Sequence, residues 1–503
     1  MSFVQSRNKI IFYFFISILF LPFVFLNISE KHSWGDDYAQ YLYQARDFLS
    51  YDKSELEILN YQDFSPKERG SGFSLLISPI YYLFQNSIKY HMLFISFFYT
   101  LMGLVLFFFF RKKLRFEKQI VLIPLLLALN VLYNYNVYLM KLYIIPVFPF
   151  MVVLYLVFLL KNNEKIFGFL IIGFLTGCLI SMKNLGWCLY FSLIIYYALI
   201  FFKSYDIKRV NALLLMILIP ILTNTLIKYI VYGNISFQDI SWYETKFNLS
   251  ELLFTIKENT LNYSEYIRMF FAQDLYKWLV YPMMYIVFFL FLIGIYRVIR
   301  EKKIGLEEVF FGFYFLIILI YPYNKEGFRF LLPVFPLILL YIYYGLKYIS
   351  SFVKVTKFSY LFSALSLIFL LMSNYSYFKY VTMNKDKYLA GAQQKHAQEV
   401  FNFINHSISV HDVVAFTKPW CIKLFSSRSS MYFNTQIELN HLELDLEKYN
   451  VKHILVCTDS SKDAVHNSIS AVYNKNIHLG TLNNENYKTL FHNDRFSLLE
   501  KIR

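Results

Sequence analysis

The sequence is cut into recurring apolar runs of about 17–23 residues, each long enough to cross the roughly 30 Å hydrocarbon layer of a bilayer. In lipid, every backbone N–H and C=O must find a partner within the protein, so runs of this length are expected to be helices. Barrel strands would instead alternate apolar and polar residues over about ten positions, and these runs do not alternate. They cover residues 10–26, 87–110, 119–140, 142–160, 166–182, 185–202, 210–231, 278–296, 306–321, 330–346 and 358–375. The first follows a basic start but lacks a small-residue cleavage site, so it is read as an uncleaved span rather than a signal peptide. About eleven transmembrane helices are expected. A weaker apolar stretch, 73–84, is too short to span and is read as interfacial or re-entrant.

The formal net charge of +15 would suit a nucleic-acid partner if it were gathered on one surface. It is not. Basic clusters fall in alternate loops: Arg7 and Lys9; Arg111 to Lys118; Lys161 and Lys165; Lys203, Lys208 and Arg209; Arg297 to Lys303; and Lys347, Lys354 and Lys357. Alternate basic loops are the cytoplasmic ones, so the charge reports topology and no nucleic-acid partner is expected. An N-terminus inside and an odd number of spans put the C-terminus outside the cytoplasm. The abundant Phe and Tyr fit lipid-facing bulk and interfacial belts.

The polar remainder is organised as two long outer loops, 29–86 and 232–277, within a membrane domain 1–377, followed by a soluble segment, 378–503. In that segment the apolar runs shorten to strand length. Residues 393–405 read as an amphipathic helix, 412–416 as a strand, 420–425 as a short helix, 431–434 as a strand, 439–449 as a helix and 452–457 as a buried strand. This alternation predicts a small α/β domain with partly parallel strands. Cys421 and Cys457 lie in it, where an extracytoplasmic disulfide is permitted but not required by their spacing. The histidines between His396 and His492 show no metal-ligand spacing.

The first outer loop opens with Trp34-Gly35-Asp36-Asp37-Tyr38-Ala39-Gln40-Tyr41-Leu42-Tyr43-Gln44-Ala45-Arg46. Asp37, Tyr41 and Ala45 are four apart and share one face of a helix. Asp36 and Asp37 stand at its N-terminus, where the helix dipole favours negative charge. A plain helix cap explains them as well as a functional role does. A carboxylate just past a span is also well placed as a general base, because partial desolvation raises its pKa. Lys418-Pro419-Trp420, Arg428, Glu244, Asp274 and Glu326 suit acceptor contact or ordinary turns equally.

An acidic pair directly after the first span, with Tyr41, Leu42 and Ala45 following, resembles the GT-C glycosyltransferases. The protein O-mannosyltransferases, lipid A aminoarabinose transferases and RgtA/B/C/D-like enzymes are the members it is most similar to. Three further stretches carry the resemblance. Gly70-Ser71-Gly72-Phe73-Ser74-Leu75-Leu76-Ile77-Ser78-Pro79 is similar to the family's Pro-Gly-x-x-Leu-Leu segment. Ser181-Met182-Lys183-Asn184-Leu185-Gly186 resembles its Thr-(Arg/Lys)-x-x-Gly turn. Arg329-Phe330-Leu331-Leu332-Pro333 resembles its late Arg-(Tyr/Phe)-Leu-x-Pro segment.

The resemblance implies inverting transfer of a sugar from a polyprenyl-phosphate donor to an envelope glycan, lipid or protein at the outer face of the plasma membrane. It implies Asp37 as the base with Asp36 as its neighbour. Outward cations run against the inside-positive pattern; of these, Arg329, Lys183, Lys67 and Arg69 are the candidates for the donor phosphate. Tyr41, Glu326, Lys418 and Trp420 are weaker candidates for the acceptor or sugar. Many members carry a second acid before a proline in the next outer turn. Here Lys141-Leu142-Tyr143-Ile144-Ile145-Pro146 has none. No cofactor is therefore certain, and a divalent metal between paired acidic loops lacks half its expected ligands. Two other classes fit the sequence less well. An O-antigen polymerase or ligase would not need the carboxylate or the soluble tail, and a transporter would favour repeats and charges within its spans.

Overall fold

The computed structural model describes residues 36–49, 71–114, 146–204, 207–232, 249–270, 277–301, 304–321, 329–353, 392–416, 418–432, 446–457 and 487–502. Their helices are α1 Asp36–Leu49, α2 Ser71–Phe84, α3 Ile88–Leu114, α4 Val147–Leu160, α5 Ile166–Met182, α6 Gly186–Ser204, α7 Ile207–Tyr232, α8 Leu249–Phe270, α9 Lys277–Arg300, α10 Leu306–Ile320, α11 Phe335–Val353, α12 Lys395–Ser407 and α13 Pro419–Ser426. The strands are β1 Val413–Phe416, β2 Ser429–Tyr432, β3 His453–Cys457, β4 Tyr487–His492 and β5 Phe496–Lys501. The expected spans 10–26, 119–140 and 358–375 lie outside the described residues, and each of the others coincides with a helix. By length and composition, Ile88–Leu114, Val210–Val231 and Phe335–Phe352 are able to cross a membrane, and Val147–Leu160, Ile166–Met182 and Gly186–Phe202 are shorter apolar helices.

The elements form two compact units. The helical unit holds most of α3 and all of α4 to α11. Its helices meet through small residues, as expected where lipid removes the hydrophobic drive for association. Between α9 and α11, Gly294 faces the Tyr341 carbonyl and Gly345 faces the Leu290 carbonyl, each so close that a Cβ would collide with the oxygen. α11 starts five residues later than the apolar run suggested. Arg329–Val334 forms turns ahead of it, and Pro336, which donates no N–H, occupies its first turn where none is needed.

One end of the helical unit is fixed by charge. Glu307, in the first turn of α10, is buried and pairs with Lys161, just after α4, and with Lys113 of the last turn of α3 at 3.1 Å. Glu308 accepts the Gly305 N–H at 2.8 Å, and the Tyr197 hydroxyl donates to the Lys161 carbonyl at 3.0 Å. Three loops expected on one side of the membrane therefore do share one end of the unit. The two lysines hold the carboxylate in place, because a buried charge without its partner is costly.

The second unit contains α1, α2, the start of α3 and the C-terminal α/β elements. Its sheet has the order β2-β1-β3-β5-β4, with β2, β1 and β3 parallel and β5 antiparallel to both β3 and β4. The expected partly parallel sheet is present, and a C-terminal hairpin extends it. Val413, Ala415, Met431, Leu446, Val451, Ile454, Val456, Tyr487 and Leu499 form a core. α12 brings Val400, Phe401 and Ile404 into burial, with Phe401 stacked on Phe425 of α13 at 5.6 Å. Cys421 is a buried free thiol, so it makes no bridge to Cys457.

Replacing Glu307 with Gln removes the buried carboxylate that pairs with Lys113 and Lys161. The loss expected is about 3–5 kcal/mol, read as a large fall in the thermal unfolding midpoint of the full chain in detergent.

Candidate functional site

Within the second unit, the acidic pair is positioned by α1. Asp36 and Asp37 are its first two residues, and Tyr41 and Ala45 follow at the spacing that the sequence predicted. The shared face is the packed one: Tyr41 and Ala45 are buried, and the Tyr41 ring meets Phe73 of α2 edge-on at 5.0 Å. Ser74 of α2 donates to Gln44 Oε1 at 2.8 Å in a buried contact. α2 contains Pro79, which cannot donate an N–H to the Leu75 carbonyl; the Ser78 hydroxyl takes that carbonyl at 2.8 Å instead. The stretch resembling the family's Pro-Gly-x-x-Leu-Leu segment is thus the surface on which the acidic helix rests.

The other side of α1 packs on α13 of the C-terminal domain. Tyr43, 1% exposed, lies 5.8 Å from the Trp420 ring. The Arg46 guanidinium stands 4.4 Å from the Tyr43 ring centre and the Lys423 ammonium 4.7 Å from it. Such cation–π contacts strengthen when desolvated, and Lys423 is buried. Arg46 also reaches Ser427 Oγ at 3.5 Å and Asp47 at 3.8 Å. Burial holds the Tyr81 phenol of α2 above its ordinary pKa, with Arg46 opposing and Asp47 adding to the shift.

Trp420 is therefore part of this seam, and half-buried Lys418 caps the start of α13, where Pro419 takes the first turn. Arg428, next to the seam, is taken up by the domain itself: it binds the carbonyls of Ile408 at 2.8 Å, Ser426 at 3.4 Å and Asn405. These include carbonyls at the end of α12 that helical N–H groups leave free.

In the helical unit, Lys183 and Arg329 stand at the same end. α5 runs 17 residues from the Lys161 end, about 26 Å at 1.5 Å per residue, before reaching Lys183. α10 runs from Glu307 in the same sense, and its C-cap Tyr321 meets Phe330 at 5.5 Å. The Arg329 guanidinium lies 5.4 Å from the Phe330 ring centre, and the Tyr155 hydroxyl holds the turn by donating to the Pro333 carbonyl at 2.9 Å. Lys183 has extended backbone, and the following turn closes by Gly186 N–H to Lys183 O at 2.8 Å. A Cβ on Gly186 would come within 2.6 Å of Ile180 N, which is why this motif ends in glycine.

Lys67, Arg69 and Glu326 lie outside the described residues. Among the described residues, no three His, Cys, Asp or Glu side chains are grouped to hold a metal ion. The sequence reading missed the residues of the seam, Tyr43, Lys423 and Arg46. The signal was present only as an aromatic-rich helix with no apolar stripe of its own. It also missed Asn259, one of many polar residues in α8.

No protein-family model and no curated protein sequence matches the chain. Solved structures do. The crystal structure of ArnT from Cupriavidus metallidurans bound to undecaprenyl phosphate aligns over 98% of this chain and 98% of its own, at 12% identity and a TM-score of 0.55. Its apo state gives the same coverage and identity with a TM-score of 0.53. The Archaeoglobus fulgidus oligosaccharyltransferase, tethered to an acceptor peptide through a disulfide bond, aligns over 90% of this chain and 70% of its own at 11% identity and a TM-score of 0.51. At these identities the likeness is one of fold. The chain shares the mostly helical fold of these two proteins, with a small C-terminal sheet.

Replacing Tyr43 with Ala removes the shared ring of the seam. A loss of about 3–5 kcal/mol is expected for a buried aromatic, seen as faster proteolysis of the C-terminal domain in the full chain. Tyr43→Phe keeps the ring and is expected to resist protease nearly as the wild type does.

Proposed function

We propose that this chain is a membrane glycosyltransferase that moves a sugar from a polyprenyl-phosphate donor to a hydroxyl of an envelope glycan, lipid or protein. The observation that carries the reading is the whole-length likeness to ArnT crystallised with undecaprenyl phosphate, over 98% of both chains. The membrane is the plasma membrane, crossed about eleven times. The N-terminus is cytoplasmic and the C-terminal domain extracytoplasmic, a polarity supported by the alternation of basic loops.

In this reading Asp37, with Asp36 beside it, is the general base. The acceptor oxygen attacks the anomeric carbon, its proton passes to the Asp37 carboxylate, and the bond from the anomeric carbon to the phosphate oxygen breaks. The sugar inverts, and polyprenyl phosphate departs with the bonding pair. Charge grows on that phosphate, so cations fixed beforehand stabilise the transition state. Arg329 and Lys183 supply them, with Lys67 and Arg69 as further partners. Glu326 and Lys418 serve the acceptor side. The burial of Tyr41 and Trp420 supports a positional part in acceptor recognition, through the seat of α1.

Transfer of radiolabelled sugar from a panel of polyprenyl-phosphate sugars, measured in membranes, tests this. Asp37→Asn is expected to lower the rate by about 10²–10⁴-fold and Arg329→Ala by about 10²–10³-fold. Wild-type rates in both variants would remove the catalytic assignment.

A further inference from the structure

Helix α9 presents a long exposed stripe. Tyr285, Phe289, Leu292, Tyr296 and Ile299 are 46–65% exposed. At about 100° per residue they share an arc of roughly 100° with Tyr281 and Arg300. From Tyr281 onward, every residue in that arc is apolar or tyrosine until Arg300 closes it. The helix rises about 28 Å between those two, at 1.5 Å per residue, close to the roughly 30 Å of hydrocarbon in a bilayer. The stripe is therefore the lipid-facing side of a spanning helix, and Arg300 stands at the headgroup level of the leaflet it reaches. That level is the Glu307 end of the helical unit, because α10 begins at Leu306.

The guanidinium is fixed by the neighbouring helix. Gly294 and Gly345 let α9 and α11 approach closely, and beyond that crossing Arg300 donates from Nη1 to the Tyr348 hydroxyl at 2.8 Å. Arg297, just outside the arc, is paired with Glu301 at 2.6 Å and reaches the Tyr344 carbonyl at 3.4 Å. Arg300 differs: among the described residues no carboxylate pairs with it. An arginine in a last turn suits the helix dipole, which accounts for its charge and still leaves most of its five N–H donors available. Tyr348 also stands against Tyr296 at 6.4 Å and Phe352 at 4.9 Å. Phe352 is exposed, and so is Lys347, which precedes Tyr348. Two exposed cations thus stand beside an aromatic wall that continues into the apolar stripe.

We propose that Arg300, Tyr348 and Lys347 form a binding site for a phospholipid whose headgroup carries net negative charge, in the leaflet at the Glu307 end of the helical unit. The lipid phosphate accepts N–H groups of the Arg300 fork, a geometry that arginine suits better than lysine. Tyr348 holds the fork, the Lys347 ammonium adds a second positive charge, and an acyl chain lies along α9 from Ile299 towards Phe289. Charge complementarity selects the occupant, because a zwitterionic headgroup brings its own ammonium back against the two cations. Basic pockets between spanning helices take anionic headgroups in this way. The site is at the opposite end from Lys183 and Arg329, so it stands independently of the transfer reaction.

Native mass spectrometry of the purified full chain, titrated with phosphatidylglycerol, phosphatidylcholine or undecaprenyl phosphate, tests it. The first phosphatidylglycerol is expected to bind at least about fivefold more tightly than phosphatidylcholine, and Arg300→Ala to remove most of that preference, as loss of one basic residue at a charged headgroup implies. Tyr348→Phe leaves the charge unchanged and is expected to weaken phosphatidylglycerol by about threefold, through loss of the bond that holds the arginine. Lys165→Ala removes an exposed cation from the same end and is expected to bind as the wild type does. Equal binding of the two phospholipids, wild-type affinity in Tyr348→Phe, or a fall with Lys165→Ala as large as with Arg300→Ala would overturn the proposal. So would a response to Arg300→Ala confined to undecaprenyl phosphate, which would give the site to the polyprenyl carrier.

Discussion

α1 is a helix of 14 residues, and in water a helix of that length is marginal by itself. It opens on two like charges and has no polar face to leave in solvent: Tyr38 through Ala45 are all buried. Its existence therefore depends on two surfaces. One is α2, from the same outer loop; the other is α13, which reaches the seam from nearly four hundred residues further along the chain. α13 is in turn the crossover between the parallel strands β1 and β2, so its position depends on the sheet. The direction in which the N-terminus of α1 points is thus decided by the folding of the C-terminal domain. In the proposed reaction the domain therefore acts by seating the acidic pair, without any of its side chains having to touch substrate.

The helical unit follows a different logic. Its ends are the places where polar groups must be satisfied, and it treats the two ends differently. At one, Glu307 pairs with Lys113 and Lys161, so that three loops are tied by charge. At the other, Asn259 takes the carbonyls that α10 leaves free, and a tyrosine hydroxyl fixes the turn behind Arg329. The charge-tied end suits a basic side of the bundle. Lys183 and Arg329 stand at that second end.

Much of this was legible in the sequence, for physical reasons. Apolar runs are unambiguous because lipid permits little besides helices, and the boundaries of α5 agree with the sequence to the residue. The Asp37, Tyr41, Ala45 spacing gave the helix and, in Tyr41 and Ala45, one of its two packed sides. Other elements left weaker traces. α8 mixes Leu and Phe with Ser, Lys, Glu and Asn around its circumference, so no single stripe stands out. The β4–β5 hairpin alternates poorly, since β4 is mostly exposed. Its turn signal was there to be read in Asn493, whose side chain accepts the N–H groups of Arg495 at 3.1 Å and Phe496 at 2.9 Å. The Tyr43 seam was beyond sequence reading, because it joins residues related only by the tertiary fold.

The central claim is that this fold serves a lipid phosphate. Binding of labelled undecaprenyl phosphate to the purified chain in nanodiscs, in competition with unlabelled undecaprenyl phosphate or undecaprenol, tests it most directly. Saturable binding is expected, displaced by the phosphate and not by the alcohol, and weakened by at least about tenfold when Arg329 and Lys183 are both replaced by Ala, as loss of two charge-assisted contacts requires. Displacement by the alcohol as readily as by the phosphate, or no saturable binding, would contradict it.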